Sequence, residues 1–101
     1  MHQIIWTPQA LDDLQAIRDY IAHDAPRRAD AFVSRLIDST DVLQQRPLLG
    51  AVVPEVGRME VRELIRGNYR IIYRVGEGCV IVLTVYHGAR ILDVGSLGEA
   101  D

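Results

Sequence analysis

The stretch Tyr69-Arg-Ile-Ile-Tyr-Arg-Val75, followed after Gly76-Glu-Gly78 by Cys79-Val-Ile-Val-Leu-Thr-Val-Tyr-His87, decides the fold. Both runs are rich in β-branched and aromatic residues, and a three-residue glycine-bearing turn separates them. That pattern predicts two neighbouring antiparallel strands, Tyr69–Val75 and Cys79–His87. Working back, Arg66-Gly-Asn68 is a second turn signal, so Met59–Ile65 is expected as the strand before it. Leu48–Gly57, with Gly50, Pro54 and Gly57, reads as a loop.

The N-terminal half changes period. His2–Trp6 reads as a short strand, and Thr7-Pro8 as a helix start with Thr as N-cap and Pro in the first turn. Leu11, Leu14, Ile17 and Ile21 then form one apolar stripe, and Asp12 and Asp13 sit near the positive end of the helix dipole. This helix is expected over Pro8–His23. Asp24-Ala25-Pro26 breaks it. Phe32, Val33, Leu36, Ile37, Thr40 and Leu43 line a second helix, expected over Pro26–Gln45 and ended by Arg46-Pro47. The order is strand, helix, helix, strand, strand, strand. It predicts an α+β fold, a helical hairpin packed on one face of an antiparallel sheet (β-α-α-β-β-β). A single domain is expected over residues 1–101, with 91–101 a polar tail prone to fray.

Alternation assigns the faces. Cys79, Ile81, Leu83 and Val85 form an apolar set expected to meet the helices, with Tyr69, Ile71, Tyr73 and Val75 beside them. Arg58, Glu60, Arg62, Arg70, Arg74, Thr84 and Tyr86 are expected on the uncovered face, because an unpaired guanidinium is costly to bury. Glu63 falls on the inward side of its strand, which suggests a bulge or an early strand end there. The arginines have two readings: a solvated face that pairs with Glu60 and its neighbours, or a surface for an anionic partner. His87 falls on the core side at the strand end, where a core or edge histidine is the simpler reading.

Charge sharpens the question. All eleven basic residues are arginine, and the net charge is −3. The Arg58–Arg90 stretch holds six arginines against three acids, so it carries +3 and leaves −6 elsewhere. Arginine suits planar, bidentate contact with carboxylate or phosphate. An acidic chain argues against broad nucleic-acid binding. The single Cys79 rules out an internal disulfide, is expected to be a buried small hydrophobe, and fits a reducing cytoplasm. No signal peptide, no membrane span, no metal-ligand spacing and no glycine-rich phosphate loop is evident, so no cofactor is expected.

Four segments in order, Ile4–Ala22, Arg46–Gly50, Val61–Val75 and Val82–Leu92, make the chain resemble the RelE/ParE superfamily of type II toxins. The resemblance implies a toxin neutralised by a cognate, ParD-like antitoxin in a hetero-oligomer, and a role in plasmid stabilisation or growth arrest. RelE-like members cut mRNA on the ribosome; ParE-like members poison DNA gyrase. By position, Arg70 matches a RelE catalytic arginine, and His87 or Arg90 falls where another basic catalytic residue is found. Were the chain a nuclease, Arg70, Tyr86, His87 and Arg90 would be its catalytic group. The family's lysines on the preceding strand are absent, with Val61 and Glu63 near there, and no aromatic residue follows Tyr86. Those departures, with the acidic balance and the N-terminal helix sequence, favour the ParE side: DNA gyrase as the target, and the ribosome as the alternative. Arg58, Arg62, Arg70, Arg74, Tyr86, His87 and Arg90 are then the expected surface for target or antitoxin. Arg70 is expected to serve action more than folding.

Overall fold

The structure, a computed structural model, describes residues 1–88. Its elements are β1 (Gln3–Trp6), α1 (Pro8–Asp24), α2 (Pro26–Asp38), a 3-10 turn (Asp41–Gln44), β2 (Ala51–Val52), β3 (Val61–Arg66), β4 (Tyr69–Gly76) and β5 (Cys79–His87). The expected α+β architecture of a helical hairpin on a sheet is present. The expected tail, 91–101, lies outside the described residues, as does Arg90.

Thr7 caps α1 as its sequence predicts, accepting from the Ala10 N–H at 3.1 Å. Ala10, Leu14 and Ile17 are buried, and Ile21 packs at the margin of the same core. Leu11, expected in this stripe, is exposed; Ala10 takes its place. The second helix ends seven residues before the expected Gln45. The Ser39 and Thr40 hydroxyls donate to the Leu36 and Ile37 carbonyls, both at 2.7 Å, and occupy acceptors at the end of the helix. Thr40 and Leu43 still reach the interior from the 3-10 turn.

The sheet has five strands in the order β1-β5-β4-β3-β2. It is mixed, not wholly antiparallel: β1 runs parallel to β5, with Ile4 opposite Val80 and Trp6 opposite Val82. The hairpin over one face lets the chain return to the sheet as a crossover. β2 lies within the segment read as a loop and pairs Ala51–Val52 with Glu63–Arg62.

A β-bulge changes the faces. Ile72 pairs with Thr84, but Tyr73 pairs with Val82, leaving Leu83 as an extra residue. The alternation therefore resets within β5. Val80, Val82 and Val85 face the helices with Leu64, Ile71 and Tyr73. Leu83 joins Val53, Val61 and Ile72 in a second core on the opposite face, with Ile81 at its margin. Uniform alternation had placed Ile81 and Leu83 with Val85. Cys79 is half-buried, not buried as expected.

That second core also covers part of the face expected to be bare. Val61 and Ile72 are fully buried there against Val53 and Val56 of the segment that leads from β2 to β3.

Candidate functional site

The register of β3 against β4 fixes where each charge points. Val61 is opposite Arg74, Glu63 opposite Ile72 and Ile65 opposite Arg70. Directly paired residues share a face. Val61, Glu63 and Ile65 therefore lie with Arg70 and Arg74, on the side away from the helices. Glu63 does not spoil an inward surface; it belongs to the arginine face, and no bulge is needed to explain it.

Arg70 is the centre of this face, and it is paired. Its Nε donates to Glu63 at 2.5 Å. Its Nη1 and Nη2 donate to the two oxygens of Glu55 at 2.9 and 3.0 Å. The Arg70 and Glu63 side chains are each 12% exposed, and Glu55 is 35% exposed. The hydrogen bonds from Arg70 hold the Glu55 carboxyl well below its usual range, at about 2. The same pairing raises the already high pKa of Arg70, chiefly through Glu55. A guanidinium held by two carboxylates is a half-buried ion-pair network whose fork is already occupied by a carboxylate.

The remaining expected residues separate. Arg58 is tied to Glu60 at 2.5 Å on the surface, and the Glu60 pKa is lowered first by a backbone hydrogen bond and then by this contact. Arg74 shares the face with Arg70, and its Nε is buried without a hydrogen-bond partner. Arg62 is a correction: it pairs with Tyr73 across the strands and so lies on the helix side. There it donates to the carbonyls of Met59 at 2.7 Å and Gly50 at 3.0 Å, bracing the chain before β2. Thr84, also expected on the open face, is buried and donates to Asp13 of α1.

Tyr86 and His87 point to opposite faces. Tyr86 is opposite Arg70 and packs at the margin of the second core. His87 is opposite Tyr69, and their rings meet edge to face at 5.3 Å. His87 is thus an edge histidine on the helix side, as its parity suggests. It lines an open cleft of about 490 Å³ between α1 and the ends of β4 and β5, with Ile17, Tyr20, Tyr69 and Val85.

Two parts of the site were not foreseen. Glu55 lies in a loop, where no periodicity marks its direction. Asp13, read as a helix-dipole residue, instead accepts from the Thr84 hydroxyl and from the Val85 N–H at 3.0 Å. β1 pairs with β5 only as far as Val82, so Asp13 satisfies an edge N–H that has lost its strand partner. The parity of Val61 could have placed Glu63 beside Arg70; the rest needed the tertiary fold.

No group of three His, Cys, Asp or Glu side chains suited to a metal ion occurs among the described residues. Nor is any helix there long and apolar enough to cross a membrane.

Residues 4–92 match the family model for the ParE toxin of the type II toxin–antitoxin system parDE. The chain is 37% identical over 92 residues to Toxin RelE2 of Caulobacter vibrioides, covering 90% of this chain and all of that one. It resembles a structure of the chromosomal ParDE system of P. aeruginosa with a TM-score of 0.73 and 28% identity, over 86% of this chain and 96% of that one. A chain of the RelBE2 toxin–antitoxin complex of Mycobacterium tuberculosis shares the fold, with a TM-score of 0.58 and 24% identity, over 85% of this chain and 96% of that one.

Proposed function

We propose that this chain, which belongs to the ParE toxin family of type II toxin–antitoxin systems, arrests growth by binding DNA gyrase and is held inactive by a cognate antitoxin. The observation that carries the choice of mechanism is the pairing of Arg70. The residue that matches a nuclease arginine spends all three of its donor nitrogens on Glu55 and Glu63. Cleavage of RNA also needs an acid and a base within reach of one ribose and its phosphate. Arginine stays protonated and serves neither role. Tyr86 and His87, the two residues that the resemblance offers for proton transfer beside Arg70, occupy opposite faces of β5. Inhibition by binding needs no such constellation.

The second reading is ribosome-dependent mRNA cleavage. It is favoured by the relative named Toxin RelE2 and by the position of Arg70. One experiment separates the two. Purified toxin is given to gyrase with relaxed plasmid and, separately, to ribosomes programmed with mRNA. Loss of supercoiling or trapped cleaved DNA, with intact mRNA, is the expected result. Codon-specific mRNA cuts that vanish in His87→Ala, with supercoiling unaffected, would overturn it. Normal growth on expression without an antitoxin, at confirmed levels of folded protein, would count against toxin action of either kind.

A further inference from the structure

We propose that the outer edge of the Arg70 guanidinium is a carboxylate-binding site, occupied at rest by Glu55 of the same chain. The two carboxylates on Arg70 are not equivalent. Glu63 comes from the neighbouring strand, takes only Nε and is 12% exposed. Glu55 comes from the segment between β2 and β3 and takes both Nη donors at once, at 2.9 and 3.0 Å. That two-point contact is the arrangement a guanidinium fork offers to any carboxylate. Glu55 is also the more exposed partner, so its side of the pair can be approached from solvent.

The loop is built so that Glu55 can leave without dismantling the sheet. Val53 accepts from the Val56 and Gly57 N–H groups at 3.1 and 2.9 Å, closing a turn beneath Glu55. Val53 and Val56 hold that turn on the second core, while the Glu55 side chain points to Arg70. Rotation of one side chain then opens the fork, and Glu63 stays in place to keep Arg70 aimed.

Charge selects the ligand. With Glu55 turned away, Arg70 and Glu63 form a neutral pair. A monoanion restores the local charge of −1 found in the closed arrangement. A phosphate dianion would add a second negative charge beside Glu63, which argues for a carboxylate. The natural ligand would be an acidic side chain of a protein partner. In that respect the inference rests on reading this face as a partner surface, but its test needs neither partner nor toxicity and fails independently of them.

The test is titration with sodium acetate, and in parallel with inorganic phosphate, at constant ionic strength and near neutral pH. The readout is the Arg70 Nε–H resonance together with the thermal midpoint. Glu55→Ala is expected to saturate with acetate at ~10-fold lower concentration than the unaltered protein. The double variant Glu55→Ala/Arg70→Lys, read by the thermal midpoint alone because it has no guanidinium resonance, is expected to lose the acetate-dependent rise, because lysine has no fork. Equal responses with and without Glu55, no response in either, or a response that survives in the double variant would each overturn the proposal. Saturation by phosphate in preference to acetate would overturn the assignment to a carboxylate. Loss of the native spectrum in both Glu55→Ala and Glu55→Gln would make Glu55 a structural brace and overturn it as well.

Discussion

Tyr73 and Gly50 are locked together: the tyrosine Oη accepts the Gly50 N–H at 2.9 Å, at a point where both residues are buried. A Cβ at position 50 would stand 2.4 Å from the Glu63 carbonyl oxygen and 2.7 Å from that same Oη. The backbone comes this close only because residue 50 has no side chain.

Tyr73→Phe leaves the Gly50 N–H buried without an acceptor, and should cost about 1–3 kcal/mol. Gly50→Ala forces backbone apart against backbone, and should cost about 3 kcal/mol. Urea denaturation of each variant measures both, with an unchanged m-value expected. A cost below about 0.5 kcal/mol for Gly50→Ala would show that the segment before β2 adapts freely.

The Asp13 carboxylate closes the β5 edge beyond the last residue of β1. Asp13→Ala should destabilise by about 1–3 kcal/mol, because the Val85 N–H loses its acceptor. Asp13→Asn keeps one acceptor oxygen and should lose less. Faster amide exchange at Val85, seen by hydrogen exchange, is the local signature.

Arg70→Ala was expected from sequence to leave stability almost unchanged. Its pairing reverses that expectation. Removing the guanidinium strands Glu63, which is 12% exposed, beside Glu55. A loss of about 2–4 kcal/mol is predicted, and Arg70→Ala/Glu63→Gln should recover part of it. Thermal and urea unfolding of the single and double variants measure the coupling.

The pH dependence of that pair has a definite sign. The folded pKa of Glu55 is about 2, below the ordinary 4.5. Its stabilising share is therefore complete above the unfolded value and fades as pH falls from 4.5 towards about 2. The stability difference between the unaltered protein and Glu55→Gln should be flat from about pH 7 to about pH 5 and shrink below that. A difference that grows with acidification would contradict the ion pair.

Much of the architecture was legible from local signals. The Thr7-Pro8 cap, the break at Pro26, the two turns flanking β4 and the periodicity of both helices each carry a short-range physical cause. The Tyr69–Val75 faces were also correct, since β4 keeps strict alternation on its own residues. What failed was long-range. The bulge at Leu83 is visible only in pairing, and it moves half of β5 to the other face. The candidate site suffered most from this. Arg62 went to the helix side because the phase of β3 is set by its partners, and Arg70 proved occupied because Glu55 reaches it across fifteen residues.

The pairing of β1 with β5 has a consequence for synthesis. Gln3 lies opposite Cys79, and Trp6 opposite Val82. A first strand that waits for the fifth gives the chain a contact of very high sequence separation, which slows folding. It also means that a nascent chain cannot complete the β1–β5 pairing until residue 82 has been polymerised and has left the translation machinery. Until then the Ile4 and Trp6 side of β1 has no strand to join, and the growing polypeptide carries an unfinished toxin.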